Sequence, residues 1–100
     1  MTSFFLSYDI SDDRLRTRLS KLLERHGCKR LQKSVFLAPD FEPREMTALR
    51  AGCLRLLQQA QPSDSLLCIP ATRQYIDDLV WLGQKEKLSS ALEEVLFERM

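Results

Sequence analysis

One hundred residues suffice for one compact domain, and an apolar fraction of 44% beside 29% charged residues excludes fibrous and disordered classes. The formal net charge of +1 conceals a strong segregation of sign. No apolar run approaches the roughly 18 residues needed to cross a bilayer, and the start Met1-Thr2-Ser3-Phe4-Phe5 lacks the basic region and cleavage site of a signal peptide, so a cytoplasmic protein is expected. Cys28, Cys53 and Cys68 are odd in number and form no Cys-x-x-Cys pair, which signals neither a disulfide framework nor a zinc site. Reduced, semi-buried thiols are expected.

The first element is a strand over Phe4 to Ile10. Alternation places Phe5, Ser7 and Asp9 on one face and Phe4, Leu6 and Tyr8 on the other. Asp9 thus stands at a strand mouth beside a small serine, although by residue type alone an acid there is more often a turn residue than a ligand. Ser11, Asp12 and Asp13 suit the cap and first turn of a following helix. On that helix Leu15, Leu19, Leu22, Leu23 and His26 form the buried stripe, while Arg14, Arg18, Lys21 and Arg25 recur on the opposite side. His26, on the apolar stripe, is expected to pack or cap and not to catalyse.

From Arg14 to Lys33 the cations are Arg14, Arg16, Arg18, Lys21, Arg25, Lys29, Arg30 and Lys33, against the acid Glu24. A solvated helix face is the bland explanation. Solubility, however, is usually served by interleaved signs, and an unpaired cationic ridge repels itself unless an anion lies along it. Phosphate is the natural candidate.

A second strand is expected from Arg30 to Leu37, closed by Ala38-Pro39-Asp40. A second helix follows, with Pro43 at its first position, Glu45 in its first turn, and Met46, Leu49, Cys53, Leu56, Leu57 and Ala60 as its stripe. Ser65 to Ile69 reads as a third strand stopped by Pro70, Thr72 to Asp78 as a turn or one helical turn, and Leu79 to Leu82 before Gly83 as a fourth strand. This order matches an α+β, ferredoxin-like βαββαβ-type sandwich over residues 1–83. Leu88, Ala91, Leu92, Val95 and Leu96 have helical spacing in a C-terminal tail over residues 84–100, expected to cover the sheet or a partner subunit.

The segments Ser7-Tyr8-Asp9-Ile10-Ser11-Asp12-Asp13 with Arg14, Gln32-Lys33-Ser34-Val35-Phe36, Asp64-Ser65-Leu66 and Leu82-Gly83 together resemble the second family of CRISPR-associated proteins (Cas2). The resemblance covers roughly residues 3 to 83. It implies a ferredoxin-like homodimer, described in the family as a metal-dependent endonuclease and as the central scaffold of the complex with the Cas1 integrase that inserts new spacers into the CRISPR array. It places the family's metal aspartate at Asp9.

The chemistry can be weighed separately. Magnesium keeps several waters and is commonly held by one or two carboxylates plus substrate phosphate oxygens, and Mn2+ accepts similar oxygen ligands. One Asp9 per chain is sparse, so a twofold dimer would have to pair two of them, with Arg14, Arg16 or Arg18 steadying developing charge. Two readings follow: a Mg2+- or Mn2+-dependent nuclease cutting RNA or DNA through Asp9, and a double-stranded DNA-binding scaffold whose eight cations contact phosphates without reading sequence. The scaffold is favoured, because the cationic surface is ample where the carboxylate is not. A standalone toxin-like metal-dependent ribonuclease is the alternative on the same features. An RNA-recognition module is disfavoured, since its paired strand aromatics are missing.

Overall fold

The expected alternation in the first strand is realised in β1 (Thr2–Asp9). The structure, a computed structural model, describes residues 2–83, so the expected tail over 84–100 lies outside them. The remaining elements are α1 (Asp13–Arg25), β2 (Lys29–Gln32), β3 (Val35–Phe41), α2 (Pro43–Leu57), β4 (Ser65–Ala71) and α3 (Arg73–Asp77). One antiparallel four-stranded sheet runs in the order β2-β3-β1-β4. With β1 and β3 in the middle, this is the ferredoxin-like arrangement, and the fold class expected from the sequence is the one observed.

The two faces of β1 have different fates. Leu6, Tyr8 and Ile10 point toward the helices and join Leu15, Leu19 and Leu23 of α1, Phe36 and Ala38 of β3, and Met46, Leu49 and Cys53 of α2 in the main core. Phe5 points the other way, into a smaller cluster with Leu31, Val35, Leu37, Ala71, Ile76, Leu79 and Trp81. The helices therefore cover one side of the sheet, and α3 with the segment after it covers part of the other.

Both main helices start where their capping chemistry dictates. Asp12 is the N-cap of α1 and accepts a hydrogen bond from the Leu15 N–H at 2.8 Å, an interaction of about 1 kcal/mol. Asp13 in the first turn pairs with Arg16. The helix ends at His26, in the capping role expected of it, and Gly27 follows at φ 93°, a left-handed conformation that favours glycine. In α2 a capping box forms between Glu42 and Glu45, with Pro43 in the first turn.

Four expectations are corrected. The single strand from Arg30 to Leu37 is a hairpin, β2 and β3, that reverses at Lys33 and Ser34 without the glycine, asparagine or proline that would announce a turn. The strand does not close at Ala38-Pro39-Asp40 but runs on to Phe41. Its register with β1 shifts there, and Asp40 adopts φ 49° while its N–H donates to the Ser3 hydroxyl at 2.9 Å. Such a bulge absorbs a proline that regular pairing would reject.

Pro70 likewise does not stop its strand. It pairs with Phe4 inside β4, which lies at the edge of the sheet. The segment from Leu79 to Leu82 is not a strand: Leu79 and Trp81 pack on the second cluster, but no strand among the described residues pairs with them. Its alternation reports one-sided burial without a ladder. The expected helical turn over Thr72 to Asp78 is α3, capped by the Thr72 hydroxyl, which accepts from the Tyr75 N–H at 3.3 Å.

Candidate functional site

Asp9 ends β1 on the face turned away from α1 and α2, exposed and in register with Ser65 of β4. Ser7, two residues earlier on that face, is half-buried and faces Leu67. Among the described residues no hydrogen bond or ion pair engages the Asp9 carboxylate. The loops around it are tied together: Asp64 Oδ1 accepts from the Ser11 N–H at 3.0 Å and from the Ser11 hydroxyl at 3.1 Å, while Oδ2 accepts from the Gln61 N–H at 2.9 Å. These donors, that of Gln61 foremost, hold the Asp64 carboxyl below the usual carboxylate range. Asp64 is thereby committed to the loop and not offered to an ion.

No group of three or more His, Cys, Asp or Glu side chains arranged to hold a metal exists among the described residues. At the end of β1 one protomer thus presents the exposed Asp9 carboxylate, with the Ser7 and Ser65 positions beside it. That donor set can supply half of a hard-cation site and needs a second carboxylate or substrate oxygens to complete one.

The eight predicted cations do not form one surface. Arg14, Arg18, Lys21 and Arg25 are exposed along the outer side of α1. Arg18, Lys21 and Arg25 form one wall of a groove of about 600 Å3 whose other wall is α2, with Arg55 and Gln59, over a floor of Leu22, Gly52 and Leu56. Arg18 Nη1 donates to Gln59 Oε1 across it at 3.2 Å.

Arg16, Arg30 and Lys33 turn to a different hollow, of about 360 Å3, beside Tyr8 and Asp13. There Arg16 Nη1 donates to the Ile10 carbonyl at 3.3 Å, and Arg30 lies 5.0 Å from the Phe36 ring centroid while contacting Glu24 at 3.4 Å. The Tyr8 hydroxyl donates to the Lys33 carbonyl at 3.2 Å, and burial pushes its pKa up. Lys29 belongs to neither group; it is in register with Leu37 on the opposite face of the sheet.

Arg55 and Gln59 escaped the sequence reading. Arg55 lies in the last turn of α2, where a cation is ordinarily explained by the helix dipole. Its spacing of eleven from Arg44 repeats that of Arg14 and Arg25, the one signal that pointed to it.

The fold is matched by comparison with known proteins. Residues 1–78 match the family described as CRISPR associated protein Cas2. The chain belongs to the Cas2 family. A hypothetical protein, TT1823 from Thermus thermophilus, is 32% identical, with 83% of this chain and 92% of that chain covered at a TM-score of 0.66. Streptococcus pyogenes Cas2 at pH 6.5 shares the fold at 18% identity, with 81% and 99% coverage and a TM-score of 0.68. A chain of a partial Cas6-RT-Cas1–Cas2 complex does so at 22% identity, with 82% and 85% coverage and a TM-score of 0.70. No curated protein matches the chain. No helix among the described residues is long and apolar enough to cross a membrane. The Cas2 family thus matches the resemblance carried by the segments around Asp9, Lys33 and Asp64.

Proposed function

We propose that the protein is a CRISPR adaptation component, a homodimeric scaffold that binds double-stranded DNA and works with the Cas1 integrase in spacer acquisition. The observation that carries this reading is the exposed row Arg14, Arg18, Lys21 and Arg25 on α1. The acids of that helix are committed elsewhere, Asp13 to Arg16 and Glu24 to Arg30, so the row keeps its field. Family membership and the fold shared with a chain of a Cas1–Cas2-containing complex support the adaptation role.

Dimerisation is supported by the uncovered side of the sheet. Leu67 (58% exposed) and Ile69 (44%) of β4, the register partners of Ser7 and Phe5, leave an apolar strip on that face in water of the kind a partner covers. A second copy related by a twofold axis is the occupant that also brings two Asp9 residues to one interface.

Asp9 supports a second activity, phosphodiester hydrolysis assisted by Mg2+ or Mn2+. A bound ion would polarise the scissile phosphate and acidify a water. Each copy of this chain would contribute one Asp9 carboxylate to a site shared by the dimer, with Arg16, fixed to the Ile10 carbonyl, next to the strand mouth as a charge-stabilising group.

The deciding experiment compares Asp9→Ala with the double change Arg14→Ala and Arg18→Ala. Under the scaffold reading Asp9→Ala loses magnesium-dependent cleavage but retains duplex binding and spacer insertion, whereas the arginine pair weakens binding about equally for all sequences. Loss of insertion in Asp9→Ala with binding intact would make catalysis the main role.

A further inference from the structure

We propose that the groove between α1 and α2 is a seat for the phosphate backbone of duplex DNA, and that Arg55 of α2 is one of its contact residues. This rests on the duplex-binding reading and extends it from a one-helix ridge to a two-walled groove. The helices pack antiparallel, since Arg18 meets Gln59 near one end and Leu22 meets Gly52 further along. A Cβ at Gly52 would stand 3.1 Å from Leu22 Cδ2, so the glycine lets the backbones approach and keeps the floor low. Arg55 then lines the same groove as Arg18, Lys21 and Arg25.

Four cations line the groove and no carboxylate does. The acids of both helices are spent outside it: Asp13 on Arg16, Glu24 on Arg30, and Glu45 on the Glu42 N–H at 2.9 Å. Four like charges around one cleft repel one another, and an anion seated among them relieves that repulsion. From Arg18 to Arg25 the α1 wall extends about 10 Å at about 1.5 Å per residue, longer than one small anion. Duplex DNA, with a charge about every 3.4 Å of its axis along each strand, supplies more than one phosphate over that distance. The lining is three arginines, a lysine and a glutamine over an apolar floor, a composition that grips a backbone without reading bases.

The test is a titration of a mixed-sequence DNA duplex by fluorescence anisotropy over a salt series, using Arg55→Gln, Arg55→Lys and Arg14→Gln in the full chain. Thermal melting confirms that each exposed substitution leaves the fold intact. Arg55→Gln should weaken binding about five-fold at 0.15 M salt and make the log K against log salt slope shallower by about 1. Arg55→Lys, which keeps the charge, should restore most of both. Unchanged binding in Arg55→Gln while Arg14→Gln weakens it overturns the groove and leaves the duplex-binding reading standing. An unmodified protein that fails to bind the duplex overturns both.

Discussion

Asp64 receives two hydrogen bonds from Ser11, at 3.0 and 3.1 Å, across 53 residues of sequence. The bridge joins the loop leaving β1 to the loop entering β4, one residue from Ser65, the register partner of Asp9. Local order at the strand mouth therefore depends on a carboxylate that is neither catalytic nor buried.

That dependence has a pH signature. Because the folded state lowers the pKa of Asp64, its contribution is fully present above the ordinary carboxylate range and is lost as pH falls through the lowered value. Melting temperatures of the unmodified protein and Asp64→Asn, measured from neutral to acidic pH, should differ most at neutrality and converge in acid. A gap that stays constant with pH would assign the bridge no electrostatic part.

The uncovered sheet face should set the oligomeric state. By analytical ultracentrifugation the unmodified chain should sediment as a dimer, and Leu67→Glu or Ile69→Lys, both at exposed positions on β4, should give a folded monomer. A dimer unaffected by both changes would place the twofold interface elsewhere.

The thiols should rank by burial. Burial pushes Cys28 up to about 12 and Cys53 up to about 11, leaving almost no thiolate near neutrality, while Cys68 is exposed and only moderately suppressed. Iodoacetamide should therefore modify Cys68 in the folded protein, and Cys28 and Cys53 only after urea unfolding, as read by peptide mass spectrometry.

Core strength can be checked at Leu19, which is fully buried between α1 and the sheet. Leu19→Ala should cost about 2–5 kcal/mol, read as a lower urea midpoint. A loss well under 1 kcal/mol would mean that the helix layer collapses readily onto the space left behind.

The parts of the fold legible in sequence were those where one physical signal acted alone. The alternation of Phe4 to Asp9 and the three-to-four spacing of Leu15, Leu19 and Leu23 each produced the expected element, and Asp12 capped as its type predicts. The β2–β3 hairpin was hidden because Lys33 and Ser34 carry no special backbone preference, so the reversal is imposed by pairing with β1. Leu79 to Leu82 misled because burial on one side produces the same alternation with or without a partner strand. In the candidate site, the α1 face of the groove was legible from spacing within one helix. Its α2 wall was not, since only the packing of Leu22 on Gly52 brings Arg55 opposite that face.

Pro70 carries a final consequence. The Tyr8 N–H bonds toward β3, to the Ser34 carbonyl at 3.1 Å, so the even-numbered residues of β1 direct their backbone groups away from β4. The Phe4–Pro70 pair is thus one without ladder bonds, and the imide nitrogen of Pro70 turns outward along the rim of the sheet. An incoming extended peptide would meet a gap in its row of donors there, which guards the rim against runaway cross-strand polymerisation at no cost to the pairing within.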